Sequence, residues 1–246
     1  MAAARKPRRK ASADTPRVDI QPAFVLHQHA WRETSRLLDV FSRDHGRLSI
    51  VARGAQRPGS QARAVLLGFQ PLLLSWFGGG EVRTLHAAEW QGGIPQLAGQ
   101  SLLCGFYLNE LLLKLLPRDT AHPVLFTAYF DAIRALSSLP REAGQAIEPM
   151  LRRFELALLG ELGYAPDWRR TATGEPIEAG QRYGFVSGHG LMPGDQIDGQ
   201  ALLELADAPS DAALIQSKAL MRQLVGSLVG SQPLHTRQLL IDLQRL

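Results

Sequence analysis

The period of the apolar residues changes once along this chain, and that change limits its fold more than any other feature. In "GRLSIVARG" Leu48, Ile50 and Ala52 alternate with Arg47, Ser49 and Arg53, the period-2 signature of a strand with one wet face. Similar strand-like runs occur at "AFVLHQ", "SRLLDVFS", "PLLLSWF" and "EVRTLHAAEW", with Gly78, Gly79 and Gly80 as a turn between the last two. From about Leu97 the spacing becomes 3 and 4. "LAGQSLLCGFYLNELLLKLLP" predicts a buried helix ending before Pro117. "PVLFTAYFDAIRAL" puts Leu125, Tyr129, Ile133 and Leu136 on one stripe, and "AIEPMLRRFELALLGELG" does the same for Leu151, Phe154, Leu158 and Leu162, with Gly163 as the stop. The fold class is therefore α+β, a barrel of five short strands followed by a helical bundle.

The predicted organisation has five parts: a basic arm at 1–17, the barrel at 18–92, the bundle at 93–163, an insert rich in Gly and Pro at 164–199, and helices at 200–246 that pack on the bundle. The oligonucleotide-binding (OB) barrel is the commonest five-stranded candidate for the second part. Within the insert a short hairpin is expected around Tyr183 to Ser187, and Ser210 is the expected N-cap of one helix through "DAALIQSKALMRQLVGSLVG".

Charge adds a direction. Residues 1–17 carry six basic groups and one acid, so of the net +4 all but −1 resides in the arm. An organelle transit peptide shares this composition, whereas a secretory signal, which needs an apolar stretch, does not. Between Asp44 and Glu81 stand Arg47, Arg53, Arg57 and Arg63 with no carboxylate. Arg47 and Arg53 are expected on the wet face of the third strand, with Arg57 and Arg63 in a long loop after it. Such an acid-free basic stretch suits phosphate, since each neutralised phosphate releases condensed counterions. Arg32 and Arg36 in "AWRETSR" are secondary candidates, being offset by Glu33, while Phe69 is expected in the core.

Several function classes lose support. No glycine loop ends in Lys-Ser or Lys-Thr, so no triphosphate cradle is encoded, and no turn frames a serine nucleophile. A metal-dependent nuclease lacks its clustered carboxylates. The single cysteine, Cys104, allows neither an internal disulfide nor a cysteine-based zinc site and fits a reducing cytoplasm. His27 and His29 share one face of a strand, but no third ligand stands at metal-binding spacing, so neither metal nor cofactor is expected. The apolar run "LLLKLL" is far shorter than the ~20 residues of a membrane span. What remains is nucleic-acid binding, to DNA or, as the alternative, to RNA by an OB-fold protein.

The blocks "FVLHQHAWRETSRLLDVFSRDHGRLSIVARGAQRPGS", "GFQPLLLSWFGGGEVRTLHAAE", "YLNELLLKLLPRD", "LRRFELALLGELGY" and "QPLHTRQLL" resemble, in order, those of the bacterial RecO family of DNA repair and recombination mediators. The resemblance implies an OB barrel, a helical domain and a C-terminal region. It also implies binding to single- and double-stranded DNA, ATP-independent annealing, and work with RecR to load RecA on strands coated by the single-stranded-DNA-binding protein. Arg237, in the last block, joins the DNA-binding candidates on this ground. The coating protein's acidic, carboxylate-ended tail is expected on the helical domain, with Arg152, or else Arg153, meeting the terminal carboxylate beside an apolar stripe of Leu151, Phe154 and Leu158. Many family members carry a four-cysteine zinc module after the bundle. Residues 164–199 contain no cysteine, so local hydrogen bonds and the packing of Trp168, Tyr183 and Phe185 are expected to hold that segment instead.

Overall fold

The computed structural model describes residues 16–140, 144–230, 234–236 and 238–239. Arg237 and nearly all of the basic arm lie outside the described residues, as does most of the final predicted helix.

Five strands, β1 (Arg17–Trp31), β2 (Ser35–Ser42), β3 (Gly46–Ala52), β4 (Leu72–Phe77) and β5 (Val82–Trp90), close into a barrel of order β1-β2-β3-β5-β4. All neighbours are antiparallel except β3 and β5, whose parallel pairing closes the ring. Alternation sends Ala23, Val25, Leu38, Val40, Leu48, Ile50, Leu72, Leu74 and Trp76 inward. The segment joining β3 to β4 is not the open loop expected from its Gly, Pro and Arg content. It tightens into turns and then a five-residue helix, α1 (Gln61–Val65), too short to show an apolar period.

The outer side of the barrel serves a second core. On β1 the residues between the inward ones, Phe24 and Leu26, join Phe41 and Phe69 in one cluster with Leu108, Leu112, Phe126, Tyr129 and Phe154 of the bundle. The bundle consists of α2 (Gly99–Leu115), α3 (Pro123–Ser137) and α4 (Ile147–Glu161). Phe24 meets Tyr129 edge-on with ring centroids 5.0 Å apart. The buried Asn109 amide is satisfied at this seam: Asn109 Nδ2 donates to the Leu26 carbonyl (2.8 Å) and Tyr129 donates to Asn109 Oδ1 (2.6 Å). An unpaired amide here would cost about 1–3 kcal/mol, so the pairing fixes how barrel and bundle meet.

The segment at 164–199 is more regular than expected. It holds a three-stranded antiparallel sheet of β6 (Arg182–Val186), β7 (Gly190–Pro193) and β8 (Ile197–Asp198), in the order β7-β6-β8. Three helices follow, α5 (Gly199–Asp207), α6 (Asp211–Gln216) and α7 (Lys218–Val229). Sheet and helices share a core of Tyr183, Leu191, Ile197, Leu202, Leu214 and Met221, which also takes in Leu159 of α4. The helices thus pack on α4 of the bundle and also on the sheet. Ser210 caps α6, its Oγ accepting from Ala213 N (3.2 Å), but the expected single helix is two. At the break the buried Ser217 hydroxyl donates to the Leu214 carbonyl (2.7 Å), the local competition by which serine interrupts helices.

Tetrahedral zinc of the family's four-cysteine kind does not fit this unit. Its only described histidine, His189, is exposed and lies 3.4 Å from the Ser187 carbonyl through Nδ1. The turns are closed by other bonds: Glu178 N donates to Tyr183 Oη (2.9 Å), Phe185 N to Gln196 Oε1 (3.1 Å), and Glu175 N to Thr171 Oγ1 (3.1 Å).

Candidate nucleic-acid interface

Three pieces of the barrel converge at one end: the β1–β2 turn, the turn that leaves β3, and the start of β5. They enclose an open cleft of about 650 Å³ lined by Trp31, Arg32, Val51, Arg53, Arg57 and Arg83, with Thr34, Ser35, Gly54, Val82 and Thr84 between them. No carboxylate lines it. Arg32 sits at the tip of its turn with φ of +54°, a left-handed conformation that non-glycine residues rarely adopt. Arg32, Arg53 and Arg57 are exposed and have no ion pair among the described residues. Arg83 is tethered to Asp119 at 2.6 Å. Trp31, 37% exposed, supplies an aromatic wall. Stacking on an aromatic face and pairing with phosphate are the two contacts that single strands offer, and the site lies beside β3 and the β1–β2 loop, where OB barrels bind oligonucleotides.

The cleft gathers only some of the predicted arginines. Arg47 is not on a wet face. The opening of β3 is covered by the residues after α2: Arg47 Nε donates to the Leu116 carbonyl (2.9 Å) and Asp119 N donates to the Arg47 carbonyl (2.9 Å). Burial, and then the neighbouring Arg118, lower the pKa of its guanidinium. Arg36 turns away from the cleft and donates to Gln28 Oε1 (2.7 Å). Arg63 is exposed on α1, outside the cleft lining, and Phe69 is buried in the core. Trp31 and Arg83 were missed. The dipeptide Trp31-Arg32 at a strand end was the available signal for the first; Arg83 lies beyond Glu81, outside the acid-free window.

The helical domain carries a second concavity. Between α3 and α4 a groove of about 580 Å³ is lined by Ala128, Ala132, Ala135, Met150, Phe154 and Ala157, with Arg134, Arg153, Asp131 and Ser138 also on its walls. The structure corrects the expectation for Arg152. That side chain is only 9% exposed and pairs with the fully buried Glu155 (2.8 Å), which also accepts from Tyr107 (2.6 Å). Leu151 and Leu158 are bundle core. Of the predicted tail-binding residues, Phe154 and Arg153 line the groove. Arg153 is 57% exposed and reaches Asp211 at 3.1 Å.

Strand pairing also brings together residues that are distant in sequence. Asp39 of β2 is the cross-strand partner of His27, so the two histidines have the third neighbour that sequence spacing did not supply.

The model of the recombination protein O N-terminal domain matches residues 19–93, and that of its C-terminal domain matches residues 96–213. Among similar proteins, the DNA repair protein RecO of Azoarcus sp. (strain BH72) is 50% identical over 243 residues, covering 94% of this chain and 98% of the relative. That of Aromatoleum aromaticum is 49% identical with the same shares, and that of Thiobacillus denitrificans is 45% identical, covering 94% of each. Two domain models matched in chain order, together with identity of this extent across whole relatives, place this chain in the recombination protein O family.

Proposed function

We propose that this protein is a DNA repair and recombination mediator of the cytoplasm, acting at the nucleoid without catalysis of its own. It binds single- and double-stranded DNA, anneals complementary strands without ATP, and with RecR helps to load RecA onto strands coated by the single-stranded-DNA-binding protein. The observation that carries this reading is the acid-free cleft lined by Arg32, Arg53, Arg57 and Trp31. The relatives named as DNA repair proteins support it. Two strands repel along their phosphates; a basic surface screens that repulsion, and the bases then pair by their own stacking and hydrogen bonds. In the same reading the coating protein's tail lies in the α3–α4 groove, its apolar residues against Met150 and Phe154 and its carboxylate near Arg153 or Arg134.

The test is single-strand binding by the Arg32→Ala/Arg53→Ala/Arg57→Ala variant across a salt series. The slope of log affinity against log salt should become shallower by about 2, at roughly 0.7 per phosphate contact, with parallel loss of ATP-free annealing. An unchanged slope would move the DNA path off this cleft. Matched RNA outcompeting DNA on the wild type would favour an RNA-binding function instead.

A further inference from the structure

We propose that His27, His29 and Asp39 form a binding site for a divalent cation of the zinc, nickel or copper class on the outer face of β1 and β2. One ligand atom from each residue lies within 4.8 Å of the others. His27 and His29 are two positions apart on one strand, so both imidazoles project to the same side, with ring centroids 5.8 Å apart. Asp39 stands directly across from His27 in the register. Ligands around tetrahedral zinc are about 3.3 Å apart at bond lengths near 2.0 Å. Closing from 4.8 Å to that spacing takes rotation of the two imidazoles, which are exposed.

The donor set selects the metal. Two nitrogens and one carboxylate oxygen suit zinc, nickel or copper, whereas magnesium and calcium take oxygen ligands. Asp39 Oδ1 lies 3.4 Å from the donating Ser49 Oγ, a supporting contact of the kind that orients metal-binding carboxylates, and 3.3 Å from Arg118 Nη2. Arg118 is also the competitor, since its charge repels a cation and occupies one oxygen. Because both histidines are exposed, remaining coordination positions open to solvent. Given the proposed nucleic-acid path, a phosphate oxygen is in position to fill one of them, because Trp31 follows His29 by two residues and projects from the same side of β1.

The experiment uses the full chain without an affinity tag, stripped of metal, with zinc titrated against a chromophoric chelator and no nucleic acid present. One equivalent should bind. His27→Ala and His29→Ala should each weaken binding by about 10-fold or more, Arg118→Ala should tighten it, and His189→Ala, remote in the C-terminal unit, should leave it unchanged. Thermal transitions of all variants check that each is folded. Failure of the wild type to bind up to about 0.1 mM zinc, a Kd weaker than that of a useful site, or unchanged binding in the His27→Ala/His29→Ala variant, would overturn the site. Single-strand affinity with and without one equivalent of zinc is measured separately. Zinc binding with no gain in strand affinity would leave the metal site standing and count against a DNA path across this face.

Discussion

Arg152 and Arg153 are adjacent in sequence and opposite in circumstance. A helix period places Leu151, Phe154 and Leu158 in the bundle core, and it puts Arg152 and Glu155 on the next face round. That face would be open on an ordinary bundle helix. Here Tyr107 of α2 closes on it by donating to Glu155, and one turn on Leu159 enters the core of the C-terminal unit, so the arginine is enclosed with its partner. Removing one partner of a buried pair leaves an uncompensated charge, and Arg152→Ala is expected to destabilise the fold by about 3–5 kcal/mol, read as a lowered urea midpoint. Arg153→Ala should leave the midpoint nearly unchanged but weaken binding of a labelled tail peptide by about 10-fold, as loss of a charge-assisted contact of roughly 1.5–3 kcal/mol allows. Equal peptide affinities would remove Arg153 from the groove's function. Cys104 gives a second residue-scale test. Burial pushes its thiol up to about 11; the thiolate is the reactive form, so at pH 8 only about 0.1% is ionised. Alkylation of the native protein should be negligible and become rapid only on unfolding.

Strand and helix types were readable because each has its own period, but what covers an element was not. In "AFVL" every position is apolar, since Ala23 and Val25 fill the barrel while Phe24 and Leu26 fill the bundle; a run buried on both faces shows no alternation. Arg47 illustrates the converse: its strand was evident, and the lid over it comes from residues about 70 positions later. The tightest point of that junction is Gly46, with φ of +66° and a Cβ that would fall 1.8 Å from the Thr120 carbonyl oxygen. Gly59 has a similar φ of +76° but nothing within 4 Å. Gly59→Ala should therefore cost only the conformational penalty of about 1–2 kcal/mol, whereas Gly46→Ala must also displace the segment after α2 and should cost clearly more. Chemical denaturation of the pair measures the difference, and similar midpoints would mean that the junction yields easily.

Across the whole molecule the α+β division was legible, whereas the two shared cores were not, because long-range packing leaves no local pattern. The C-terminal unit is held by hydrogen bonds and apolar packing, so exhaustive chelation is expected to leave its thermal transition in place; a cooperative loss of structure on chelation would contradict this. The barrel, by contrast, should not stand alone. Residues 16–92 expressed without the bundle would expose Phe24, Leu26, Phe41 and Phe69 together, a patch of the kind that drives association, and size-exclusion chromatography should show oligomers that Phe24→Ser/Phe41→Ser converts to monomer. The same seam has a consequence during synthesis. Phe41 leaves the ribosome 85 residues ahead of Phe126, the ring it packs against at 5.4 Å. At 5–20 residues per second that is a wait of roughly 4–17 s. The barrel cannot close before Trp90 emerges, so a closed barrel bears its bare aromatic flank only over the last 36 of those residues, and a chaperone that shields apolar surface would have its longest opportunity across the whole interval.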